Sequence, residues 1–109
     1  MAYDQHLAAR IRMILVSRRG LSEKNMFGGR AFMLKGHMCC GVIGKKLMVR
    51  VGPDQYEKAL AKAHARKMDF TGKPLRGFLY VSPAGISTAR ELRRWIVLAE
   101  AYVTTLPPK

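Results

Sequence analysis

Residues 46–51 alternate strictly: Leu47, Val49 and Val51 take turns with Lys46, Met48 and Arg50. A period of two marks a strand with one buried face, because successive side chains leave a strand on opposite sides. One face of this strand is therefore expected to be greasy and the other basic. Residues 24–52 hold further apolar runs of strand length, cut at Gly28-Gly29, Lys35-Gly36 and Gly44-Lys45. Met26-Phe27 and residues 30–35, 37–43 and 46–51 thus read as consecutive strands, with residues 21–23 as the link into the first. Turns this short join antiparallel neighbours. Gly28-Gly29 implies either a turn or bulge at positive φ or a backbone that something approaches closely. It leads into a strand, whereas a phosphate-binding loop leads into a helix N-terminus.

The flanking segments change period. Asp4 can cap a helix over residues 4–19, with Leu7, Ile11, Ile14 and Leu15 on one side and Arg18, Arg19 and Gly20 at its far end. Gly52-Pro53-Asp54 closes the meander and opens a second helix, whose narrow apolar face is Tyr56, Ala59, Leu60 and Ala63. Residues 64–70 read as a strand with Arg66, Met68 and Phe70 on one face. A loop at 71–74 leads to a strand at 77–81. Thr88 with Glu91 three residues on forms a capping box, so the last helix starts near Thr88. Leu92, Trp95, Ile96, Ala99, Tyr102 and Val103 recur at spacings of three and four, and Pro107-Pro108 stops the helix. The expected fold class is α+β: a central antiparallel sheet with flanking helices, in the order α-β-β-β-β-α-β-β-α.

At 109 residues, 49% hydrophobic and 25% charged, the chain has the size of one globular domain, 1–109. The N-terminus does not resemble a secretory signal, and its longest apolar run, residues 13–16, is far short of a membrane span. A cytoplasmic protein with no membrane partner is the expectation. Cys39 and Cys40 are adjacent in a strand, which sends their side chains to opposite faces, so two free buried thiols are expected.

Charge is the outlier: 20 Lys and Arg against 7 Asp and Glu give +13, a field that attracts nucleic acid or other anionic surfaces. The excess is spread: +3 over residues 1–20, +5 over 21–51, +3 over 52–76 and +2 over 77–109. Generic surface basicity and a dedicated groove both fit that spread. Phe27, Phe32, Phe70, Phe78 and Tyr80 fall in strands and could stack on bases or pack in the core. Arg30, Arg50, Arg90, Arg93 and Arg94 are the candidate nucleic-acid-binding residues. Their clustering would favour nucleic acid, and their dispersal an interaction module.

Catalytic patterns fail one by one. His6, His37 and His64 fall on separate elements and the two cysteines are adjacent, which is not the paired spacing of a zinc site. Neither thiol has an identifiable base, and no G-x-S-x-G, Walker, Rossmann or H-E-x-x-H pattern occurs. No catalytic, cofactor-binding or metal-binding residue is assigned, and no cofactor is expected.

The segment with MFGGRAFM, the Lys35-Gly36 turn, Cys39-Cys40-Gly41 and KLMVRVG resembles the N-terminal domain of the TfoX (Sxy) competence regulators. MDFTGKPLRGFLYV, the helix around Trp95 and the closing LPP are similar to its stand-alone single-domain members. The resemblance implies an α+β domain related to secretion-chaperone-like folds and a role as a transcriptional coactivator alongside the cyclic-AMP receptor protein. It implies no residue roles. The expected function is a non-enzymatic regulatory or protein-interaction domain, linked to transcription or competence regulation, with an unidentified protein partner. Direct DNA or RNA binding through the basic surface is the alternative, and a thiol enzyme using Cys39 or Cys40 is a third. An unpaired strand edge could support a homodimer.

Overall fold

In the computed structural model, residues 3–26, 28–69 and 74–107 are described, with only the backbone of Asp69, Pro74 and Leu75. Phe27, Phe70 and most of the expected 71–74 loop lie outside the described residues.

Glycine punctuation divides the middle of the chain as its pattern requires. Gly28 takes a φ of +76° in the first turn, a conformation that costs a residue without a Cβ nothing. Gly29 has no room for a side chain, because a Cβ there would overlap the carbonyl of Val42 on the neighbouring strand. One glycine answers each of the two alternatives. The strands that follow are β1 (Leu21–Met26), β2 (Gly29–Leu34), β3 (His37–Ile43), β4 (Lys46–Arg50), β5 (Ala65–Asp69) and β6 (Pro74–Val81). They form one six-stranded sheet in the order β1-β2-β3-β4-β6-β5, and every pairing is antiparallel. The helices are α1 (Gln5–Leu15), α2 (Tyr56–Leu60) and α3 (Ala89–Val103). The fold is therefore α+β, with the expected order of elements.

The helices all contribute to one side of the sheet. Leu7, Ile11 and Leu15 of α1 and Leu92, Ile96 and Ala99 of α3 share a buried cluster with Phe32, Val42, Leu47, Val49, Leu79 and Val81. Each fully buried Leu or Ile contributes about 1.5–3 kcal/mol relative to exposure. Tyr56 and Ala59 of α2 join the same cluster. The expected core face of α3 is confirmed, with Tyr102 only half-buried.

Several boundaries differ from the sequence reading, each for a physical reason. Residues 21–23 are not a link but the first half of β1, pairing Leu21 with Leu34 and Glu23 with Phe32. As an edge strand with one neighbour, β1 is held by its ladder and half-buried at most, so it carries no apolar signal. Helix α1 stops at Leu15 rather than at residue 19. The Arg18 N–H donates to the Leu15 carbonyl, and the Arg18 guanidinium donates to Glu100 of α3. Helix α2 starts at Tyr56, not at Pro53, and Ala63 lies beyond its end, exposed. The chain needs those residues to turn into β5 through His64, whose φ is +71°.

The cysteine geometry also departs from expectation. Phe32 pairs with Cys40 but Met33 pairs with Met38, so Cys39 is the extra residue of a β-bulge. The bulge breaks the alternation, and both thiols enter the helix-side core, fully buried.

The opposite face is not simply basic. Ala31, Met38, Met48 and Met68 are buried there, rimmed by half-buried Met26, Met33, Ile43, Phe78 and Tyr80. This second cluster is made of strand residues alone.

Candidate interaction surface

Helix α3 begins where its capping box puts it. The Glu91 N–H donates to the Thr88 hydroxyl at 3.1 Å and the Thr88 N–H donates to the Glu91 carboxylate at 3.2 Å. Hydrogen bonds from Thr88 and Ser87 hold the Glu91 carboxyl below its usual range. From that start, Leu92, Ile96 and Ala99 face the sheet, and a second stripe falls beside them: Arg94, Val97, Leu98 and Ala101. Residues three and four apart on a helix are neighbours on its surface, so the stripe is continuous.

The turn from α2 into β5 runs alongside. Lys62, Ala63 and His64 face Glu91, Arg94, Trp95 and Leu98 across a cleft of about 330 Å³. A groove of about 440 Å³ lined by Lys62, Arg93, Arg94, Val97, Leu98 and Ala101 continues from it. Lys62, Arg94 and Leu98 belong to both, so the two form one trough. The groove's floor is apolar, and Val97 is 47% exposed there, a hydration cost that an apolar partner would remove. Its rim carries three cations: Lys62, Arg93 and Arg94. The single carboxylate among the described lining residues is Glu91, already engaged by the helix cap.

The five arginines singled out from the sequence lie in three places. Arg30 donates to Glu23 at 3.0 Å and to Asn25 at 2.9 Å on the β1–β2 edge. Arg50 sits on the interior strand β4, 5.4 Å from the Phe78 ring centroid and 5.6 Å from that of Tyr102. Arg90, Arg93 and Arg94 are exposed on α3, and the last two line the trough. Of the strand aromatics, Phe32 is buried on the helix side, whereas Phe78 and Tyr80 are on the other face.

The remaining chemistry-bearing groups do not converge. His6 is exposed, His37 shares a 2.6 Å hydrogen bond between its Nε2 and the Pro107 carbonyl, and His64 lines the cleft. No group of three or more His, Cys, Asp or Glu suited to a metal ion occurs among the described residues. A hydrogen bond with the Cys39 thiol and complete burial push the Cys40 thiol well above its ordinary range, which disfavours a thiolate there. Among the described residues no helix is long and apolar enough to cross a membrane.

The trough was not legible as a site in the sequence. Its signal was the apolar trio Val97, Leu98 and Ala101, off the core stripe of α3.

A family model described as the TfoX N-terminal domain matches residues 14–102. No curated protein and no solved structure matches the chain.

Proposed function

The chain belongs to the TfoX N-terminal domain family, and from that premise we propose that it is a non-enzymatic regulatory domain that docks a partner protein in the trough along α3. The family supports a regulatory or interaction role in general. The observation that carries the finer reading is the trough itself, an apolar floor of Val97, Leu98 and Ala101 under a rim of Lys62, Arg93 and Arg94. Apolar floor and cationic rim together complement an amphipathic segment with acidic flanks, the apolar side supplying affinity and the charges supplying orientation and on-rate. The resemblance to transcriptional coactivators supports a partner among proteins that regulate transcription. The dispersal of Arg30, Arg50 and the α3 arginines supports this reading over one groove that gathers all five.

Capture experiments test it with matched variants. The wild-type chain, Val97→Asp and a sheet-face variant, Lys46→Glu, serve as baits in parallel. A stoichiometric partner retained by wild type and Lys46→Glu but lost by Val97→Asp supports the trough. Identical capture by all three baits, or loss only with Lys46→Glu, contradicts it. Val97 is exposed, so Val97→Asp is expected to leave the thermal midpoint close to wild type.

A further inference from the structure

The sheet face away from the helices carries a pattern that the trough does not use. In β6, Phe78 and Tyr80 alternate onto this face. Across the neighbouring strands, Arg50 pairs with Phe78, and Met48 and Arg66 pair with Tyr80. Residues directly opposite in an antiparallel ladder project to the same side. The Lys46 ammonium stands 4.4 Å from the Tyr80 ring centroid and the Arg50 guanidinium 5.4 Å from that of Phe78. The result is a ring with its cation, repeated side by side.

Charge on this face is one-sided. Lys46, Arg50 and Arg66 have no carboxylate partner among the described residues, and no strand residue whose side chain is described is acidic here. Glu23 faces the helix side, held by Arg12 and Arg30. Glu57 pairs with Arg76 and Glu100 with Arg18. Asp4 and Glu91 cap helices. The carboxylates that neutralise cations do so elsewhere.

We propose that this face binds single-stranded nucleic acid, with bases displacing the Lys46 and Arg50 head groups from over the Tyr80 and Phe78 rings and the released cations, together with Arg66, meeting the phosphates. A nucleotide presents one π-face and one phosphate per unit, which is what each ring-and-cation pair complements. An acidic peptide satisfies the cations but has no repeating π-face for the rings. A duplex keeps its bases stacked on one another, so the rings read only unpaired strands. The site lies on different elements from the α3 trough, and its occupancy is independent of the proposed docking there.

Fluorescence anisotropy with a labelled oligothymidylate of roughly 15 nucleotides, near the upper end of single-site sizes, tests the assignment at about 50 mM salt. Two double charge reversals remove equal net charge from different faces: Lys46→Glu with Arg66→Glu on the sheet, and Arg93→Glu with Arg94→Glu on α3. The sheet pair is expected to weaken binding about tenfold or more, and the α3 pair less than about threefold. Tyr80→Phe keeps the ring and retains affinity, whereas Tyr80→Ser loses about tenfold. Equal losses from the two reversals would reduce the effect to the overall field and overturn the site. So would tighter binding of the matching duplex, equally potent displacement by oligoglutamate, or no binding by the wild type. Because the sheet reversals involve exposed Lys46 and Arg66, the comparison stands even where Tyr80→Ser unfolds the chain.

Discussion

The Lys62 ammonium lies 5.8 Å from the centroid of the Trp95 ring, which joins the turn before β5 to α3 across the mouth of the cleft. The two residues carry different loads. Trp95 is buried in the helix-side core, so Trp95→Ala is expected to cost about 3–5 kcal/mol and to lower the thermal midpoint sharply. Lys62→Ala removes a cation–π contact at a solvent-facing site, about 0.5–1 kcal/mol. Thermal denaturation of both variants checks the ranking, and equal losses would contradict it.

The edge strand β1 is pinned to α1 through Glu23. Arg12 donates two hydrogen bonds to it, at 2.6 and 2.7 Å, and Arg30 a third at 3.0 Å. The Arg12 hydrogen bonds, with help from Arg30, pull the Glu23 carboxyl from an ordinary value of 4.5 to about 2, against the opposing effect of burial. A carboxyl depressed on folding favours the native state when ionised. Its contribution is complete above the unfolded value and is lost as pH falls from about 4.5 towards 2. Chemical denaturation across that window should show a stability loss in wild type that is shallower in Glu23→Gln. Identical acid limbs would contradict the linkage.

Burial should silence both thiols. A thiol reagent added to the native chain is expected to modify Cys39 and Cys40 only at the rate of opening, and both at once when denaturant is added. Fast labelling of either in the native state would revive the thiol-enzyme reading.

Gly29 offers a sharper stability test than most glycines. Its strand lies so close to the Val42 carbonyl that Gly29→Ala must push β2 from β3, and a loss of about 1–3 kcal/mol is expected. At neighbouring Gly28 a Cβ meets nothing within 4 Å, so its cost there is that of the +76° φ alone.

What the sequence disclosed depended on whether one residue's pattern could report it. The period-2 run 46–51 and the capping box of Thr88 and Glu91 are local, and both appear in the fold. β1 was half missed because an edge strand is defined by its partner, not by its own alternation. The Cys39 bulge was missed because register is a property of two strands, and one extra residue sends both thiols inward. Met48 and Met68 read as members of basic strand faces, and only pairing brought them together with Met26, Met33 and Met38 on one side of the sheet. The trough combines the α2–β5 turn with an off-stripe face of α3, a juxtaposition that no spacing along the chain encodes.

The claim that matters most is that a partner seats on α3 beside Trp95, the chain's one tryptophan. Titrating the captured partner while following Trp95 emission measures this directly. A saturable change in wild type, absent with Val97→Asp at the same concentrations, is the predicted result. Tight binding that leaves Trp95 emission unchanged, or the same change with Val97→Asp, would contradict it.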